Sequence, residues 1–248
     1  MTSEKRMLRV IEFFDGEPRL AGCLPRKTRP GQLCPLWSEH FDEMTDAELA
    51  EFVGKTSLRN HVKTVLDQDG YGSCATESST QSVMVDRAVR GLPHVVLNAW
   101  FVYRVTSGGR DSGSSIDENL GFIRENGIAP ENLHPRSLGP FAKPSHEAIQ
   151  AALDYRIKEF WDVTTVRQMR TALAKGFGVV WGSNGHSVLK VADLGPEKGL
   201  DVNNWAPGWG DHGFGVWAPY SSINWAYGCW AIRVAAPSGA EPAPEPKE

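Results

Sequence analysis

The sequence predicts an α+β protein of two lobes meeting at a cleft. Two textures carry this expectation. The first two-thirds of the chain reads as helices separated by Pro and Gly, whereas beyond Gly176 the runs GVVWGS, HSVLKVADLG, LDVNNW, GFGVWAPY and CWAIRVA are short, apolar or alternating, and punctuated by glycine. Such runs predict an antiparallel sheet or small barrel. Each half is too small to stand comfortably alone, so the two share a core.

The elements follow in order. Residues 1–54 are irregular and rich in Pro, Gly and charge, with one short helix at Thr45–Phe52, where Thr45 and Glu48 form a capping box. A helix is predicted from Cys74 to Arg90, stopped by Gly91 and Pro93, and a second over Leu97–Val105. In a third, Ser115 and Glu118 make a capping box, Ile116, Leu120 and Ile123 share one face, and Gly127 ends the helix before Pro130. Two more are expected at Ser145–Tyr155 and Thr165–Lys175, and the tail PSGAEPAPEPKE, residues 237–248, lacks apolar periodicity and is expected to be disordered.

Composition narrows the function classes. The 248 residues carry a net charge of −4 and nine Trp, the profile of a globular protein with a core and without a nucleic-acid footprint. No apolar run reaches the ~20 residues that span a bilayer, and the N-terminus lacks a signal-peptide core, so no membrane association and a cytoplasmic location are expected. Cys23, Cys34, Cys74 and Cys229 are too sparse and irregular for a stapled secreted scaffold, and Cys23, Cys34, His40 and His61 lack the close pairing of a structural zinc site. No metal is expected.

The segment LDQDGYGSCATESSTQ, residues 66–81, gives Cys74 a distinctive setting. With Ser73 as N-cap it stands at a helix N-terminus, where unpaired N–H groups favour thiolate over thiol. Gly70 and Gly72 let the backbone turn sharply and leave room for another chain. The plain alternative is a small buried hydrophobe. A nucleophile needs a base and the base an orienting group; His186 opens one strand and Asn203 closes the next, so an antiparallel connection brings them side by side.

Taken together these motifs resemble the papain-like cysteine peptidases. Gln68 stands six residues before Cys74, Gly185 precedes His186, and Asn203-Asn204-Trp205 is followed by Gly208-Trp209-Gly210 and Gly213, all in the family's order. The similarity covers roughly residues 56–235, within a peptidase domain expected over 55–236. SLRNHVKTVLDQDGYGSC resembles the start of the mature domain in bacterial and viral members, and GGRDSGSSIDENLGFIRENGIAPENLHP the glycine loop and helix that line the substrate cleft. The resemblance implies a helical N-terminal lobe, an antiparallel β C-terminal lobe and a cleft bounded by Gly72, Ser73, Gly108, Gly109, Ser112, Gly113, Trp205 and Trp209. It implies a thiol peptidase without cofactor: Cys74 as nucleophile, His186 as general base and acid, Asn203 as its orienting group, and Gln68 as oxyanion donor. Its substrate is a peptide or protein.

Several positions depart from the family. Tyr71 stands where papain has a disulfide cysteine, Ala75 replaces the tryptophan that commonly follows the nucleophile, and Asn204 and Ala206 alter the usual N-S-W-G. His186 lies 112 and Asn203 129 positions beyond Cys74, short of or at the low end of the about 130–150 typical of papain-type chains. The G-x-G-x-x-G at Gly208–Gly213 has no strand–turn–helix context for a dinucleotide, and Asp111-Ser112-Gly113 has no partner His and Asp for a serine nucleophile. His94, His134 and His212 read as surface or loop residues, and Trp100, Phe101 and Trp181 as core.

Residues 1–54 are expected to act as a prosegment, to pack permanently against the domain, or to dock it on a partner such as a viral particle, which would make the location virion-associated. The alternative function is a papain-fold structural or binding protein, for example a phage virion component, with little turnover.

Overall fold

In a computed structural model of the chain, residues 9–12 and 18–235 are described; the tail over 237–248 lies outside them, as do residues 1–8 and 13–17. A hairpin of β1 (Arg9–Glu12) and β2 (Pro18–Ala21) leads into the two-residue strand β3 (Cys23–Leu24). The helices are α1 (Asp46–Phe52), α2 (Cys74–Val89), α3 (Ala99–Thr106), α4 (Ile116–Asn126), α5 (His146–Ala152) and α6 (Val166–Ala174). Strands β4 (Ser114–Ser115) and β5 (Ile157–Asp162) interrupt them, and β6 (Val179–Ser183), β7 (His186–Asp193), β8 (Gly199–Val202), β9 (Phe214–Gly215) and β10 (Cys229–Val234) follow.

The local signals account for most of these elements. Thr45 caps α1 in a capping box with Glu48, and the Ser145 and Thr165 side chains accept from Ala148 and Gln168 N–H. Gly127 ends α4 with φ 73°, a conformation that glycine adopts without strain. The start of α4 differs from expectation: the Ser115 hydroxyl donates to the Glu118 carboxylate at 3.0 Å and makes no bond to the helix backbone. Strand β5 interrupts the helical part unannounced, because its alternation is broken by Lys158 and Glu159.

The six-stranded antiparallel sheet has the order β5-β10-β6-β7-β8-β9. Alternation places Val180, Leu189, Val191, Trp230 and Ile232 on one face with α2 and α4, and Val179, Trp181, Val188, Cys229 and Ala231 on the other with α6. The sheet is thus covered on both faces by separate cores. Trp37 and Phe41 belong to the second core, where Trp37 stacks on Phe41 and meets Trp161 and Phe177 edge-on, so the segment before α1 is packed against the domain. α2 is the axis of the other lobe and is buried from Cys74 through Arg87. His134 lies in the loop after α4, as one of the two expected settings, but is buried there: it meets Phe101 edge-on, and its carbonyl accepts from the Asn98 amide.

Candidate active site

Three connections bring the sequence-predicted residues to one place. Between β6 and β7 the two-residue turn Asn184-Gly185 has φ values of 52° and 83°, the pair of positive angles that a tight hairpin requires, and it sets His186 as the first residue of β7 opposite Ser183. Val202 of β8 pairs with Leu189, which brings the next residue, Asn203, beside the start of β7. α2 begins at Cys74, whose sulfur lies 3.9 Å from the Gly185 carbonyl.

His186 Nε2 and Asn203 Oδ1 are 2.8 Å apart. The Asn204 backbone N–H donates to the same Asn203 atom at 2.8 Å. A backbone N–H only donates, so this atom is the amide oxygen and the proton of the imidazole pair sits on Nε2. Trp205 stacks on the imidazole at 4.4 Å between centroids, and Trp217 meets it edge-on at 4.9 Å. Trp209 in turn packs edge-on against Trp205.

Gln68 is held at both ends of its side chain. Its oxygen accepts from Trp205 Nε1 at 2.8 Å, and its nitrogen donates to the Tyr71 carbonyl at 2.6 Å. The backbone of the same residue donates to the Asn204 carbonyl at 2.9 Å, and Asp67 bridges Trp205. Ser73 precedes α2 as expected, but its hydroxyl donates to Glu77 at 3.1 Å instead of capping the helix.

Backbone from the N-terminal segment crosses this constellation. Gly22 O accepts from Ser114 N at 2.9 Å on one lobe, and Cys23 N donates to Gly185 O at 2.8 Å on the other. β3 pairs in parallel with β4. A Cβ on Gly22 would overlap the Gly72 carbonyl, and one on Gly113 would overlap the Gly22 carbonyl, so this strap fits only because both sites are glycine. The Cys23 side chain lies against Gly182, whose own Cβ position is also close to Tyr227 and Ile116. Downstream, Arg26 makes a bidentate ion pair with the buried Asp162, and the N–H groups of Lys27 and Thr28 both donate to Asp117 at 2.8 Å.

Burial alters the chemistry expected of the thiol. Cys74 is fully buried, and burial pushes its thiol up to about 11; hydrogen bonds from the backbone at Gly22, Ser187, Ala75 and Cys23 oppose the rise without cancelling it. Burial thus opposes the thiolate that the helix N-terminus favours. Cys23, Cys34 and Cys229 are also free, buried and raised, each chiefly by burial.

Of the cleft residues expected from sequence, Gly72, Gly113, Trp205 and Trp209 lie at the strap or around His186. Ser112 donates to the Ser107 carbonyl at 2.7 Å within the loop leading to Gly113. Gly108 and Gly109 form the exposed turn after α3, with φ of 71° and 76° and open space around them. Sequence reasoning missed Trp217, the bonds of Asn204, and the strap. The small-residue run Ala21-Gly22-Cys23 was the available signal for the strap. Among the described residues, no group of three or more His, Cys, Asp or Glu could hold a metal ion, and no helix is long and apolar enough to cross a membrane.

The arrangement of helices packed on this antiparallel sheet recurs in solved structures. Xylellain, a cysteine protease from Xylella fastidiosa, superposes with a TM-score of 0.69 at 19% identity over 87% of this chain and 96% of its own. The chain has the papain-like cysteine-peptidase fold. Digestive procathepsin L 3 of Tenebrio molitor larval midgut shares this papain-like fold with a TM-score of 0.64 at 16% identity, covering 83% of this chain and 75% of that one. The stem bromelain precursor gives 0.63 at 16%, with coverages of 84% and 77%. No protein-family model and no curated protein matches the sequence.

Proposed function

We propose that the chain is a latent cysteine endopeptidase. The observation that carries this reading is the 2.8 Å bond from His186 Nε2 to Asn203, with the Cys74 sulfur at the start of α2 lying 3.9 Å from the carbonyl of Gly185, the residue before His186. With Nε2 bound to Asn203, Nδ1 is the ring nitrogen that exchanges a proton with Cys74. The thiol transfers its proton to Nδ1, and sulfur attacks the peptide carbonyl. The Gln68 amide and the Cys74 N–H receive the developing oxyanion, the term that commonly dominates such catalysis. His186 protonates the leaving amine, and then takes a proton from the water that cleaves the thioester. Trp205 and Trp217 keep water from the His–Asn bond.

Latency follows from the strap, whose backbone at Gly22 and Cys23 lies against the buried Cys74 thiol. Activity requires that residues 21–24 leave the cleft, by cleavage or by displacement on a partner; a viral particle is one such partner. The same coverage favours a second reading, a papain-fold structural or binding protein in which the strap never leaves.

Labelling by a thiol-directed epoxide, read by peptide mass mapping, separates the two. Selective modification of Cys74 that depends on His186, together with hydrolysis of a peptide library after the strap is displaced, is the outcome expected of the peptidase. A Cys74 that labels no faster than Cys23, Cys34 or Cys229 even with the strap displaced sinks it.

A further inference from the structure

The two donors of the oxyanion hole come from different segments. Gln68 lies on the loop before α2 and the Cys74 N–H on α2 itself, so catalysis needs the loop and the helix held at a fixed separation. One side chain reaches both. Arg136, just before Ser137 in the loop between α4 and α5, bonds through Nη2 to the carbonyl of Asp67, the residue preceding Gln68. Its Nη1 lies 3.1 Å and 3.4 Å from the two carboxylate oxygens of Glu77, on the first turn of α2. Glu77 is fully buried and accepts from the hydroxyl of Ser73, the residue preceding Cys74, at 3.1 Å.

We infer that Arg136, through Glu77, is a positioning residue that sets the spacing between Gln68 and Cys74. The chain of bonds runs from the Asp67 carbonyl through one guanidinium to Glu77 and on to Ser73, with one end next to each oxyanion donor. The guanidinium is itself fixed, lying 3.9 Å over the Trp100 ring while the Arg136 N–H donates to Glu131 at 2.6 Å. A planar fork bonded in two directions holds two segments at a set separation, which a lysine ammonium does not do. Burying Glu77 is costly, and desolvation raises its carboxyl to about 7 against the pull of Arg136. A fully buried acid one turn from the nucleophile is therefore kept at a net cost in stability, which suits a role in geometry.

This assignment rests on the peptidase reading, and its test separates the two. Two reagents would be compared on the full-length chain carrying Gly22→Val to displace the strap. A peptide aldehyde forms a hemithioacetal: the Cys74 sulfur bonds the aldehyde carbon, the thiol proton passes to the former carbonyl oxygen, and that oxygen occupies the oxyanion hole. Iodoacetamide alkylates the same sulfur, releases iodide and creates no oxyanion. Arg136→Met is expected to weaken aldehyde binding about tenfold or more, in line with the loss of one oxyanion donor, while changing the alkylation rate less than about twofold. Arg136→Lys gives partial loss, Glu77→Gln keeps most of the affinity because its amide oxygen still accepts from the guanidinium, and Gln68→Ala adds little on top of Arg136→Met. Equal loss with both reagents, full additivity with Gln68→Ala, or unchanged aldehyde binding would overturn the assignment. A parent chain that forms no hemithioacetal at Cys74 overturns the peptidase reading, and this assignment with it.

Discussion

The side-chain amide of Asn204 donates to the carbonyl of Cys74 at 3.0 Å and to the carbonyl of Ser187 at 3.0 Å. One residue thereby ties the first turn of α2 to β7, the strand that carries His186. The Ser78 and Ser187 hydroxyls, 2.6 Å apart, add a second tie between the same elements. The usual serine at position 204 has one hydroxyl donor and cannot reproduce both bonds.

Asn204→Ser is therefore expected to destabilise the chain. At least one buried carbonyl loses its donor, at about 1–3 kcal/mol, seen as a drop in Tm of about 2–12 °C for a chain of this size. Asn204→Gln, whose longer amide cannot fit the same two-carbonyl geometry, is expected to fall as well. An unchanged denaturation midpoint in Asn204→Ser would show that the tie is dispensable.

Gly22→Val tests the strap directly. Its Cβ would meet the Gly72 backbone, which cannot yield as a flexible side chain would, so the strap should leave Gly72 while the Arg26–Asp162 anchor holds the segment downstream. With solvent readmitted, the Cys74 thiol falls from about 11 toward the range of active-site thiols. Iodoacetamide modification of Cys74 at pH 7.5 is expected to rise by about two orders of magnitude or more, an estimate from the change in thiolate fraction. Modification at the parent rate would mean that the strap does not control access.

How much of this was legible in the sequence depends on the range of the signal. The Thr45–Glu48 capping box, the helix starts at Ser145 and Thr165 and the short apolar runs after Gly176 are local signals, and they position α1, α5, α6 and the sheet. The expectation that Cys74, His186, Asn203 and Gln68 form a site rests on motifs, each short enough to be read along the chain. The strap is different, since Gly22 meets Ser114 and Gly72 across long stretches of sequence and no periodicity encodes a two-residue parallel pairing. The thiol followed the same limit: its helix N-terminus is a local property, but its burial under residues 21–24 is not.

Ala206 carries a cost that can be relieved. Its φ is 61°, in the left-handed region, at the position where the family motif has glycine. A left-handed alanine costs about 1–2 kcal/mol, and replacing it by glycine returns part of that gain, about 0.4–1 kcal/mol, to unfolded-chain entropy. Ala206→Gly is thus expected to stabilise the chain by up to about 1.6 kcal/mol. A lowered Tm would show that the alanine methyl makes contacts outweighing the strain.

Glu77 gives a pH dependence whose sign is fixed by its burial. Its carboxyl titrates near 4.5 when exposed and is raised to about 7 in the folded chain, chiefly by desolvation and in part by Asp67, against Arg136 and the Ser73 hydroxyl. Between these values the native state holds a proton that the unfolded state has lost, so stability falls as pH rises. The contribution is present in full below about pH 4.5 and is lost as pH passes through about 7. Glu77→Gln removes this titration and leaves the hydrogen bonds. The stability of the parent chain relative to Glu77→Gln, followed by urea denaturation from pH 5 to pH 8, should decline by about 3 kcal/mol at most. A difference that stays flat across that range would place the Glu77 carboxyl in its ordinary range and remove the buried charge from the account of the clamp.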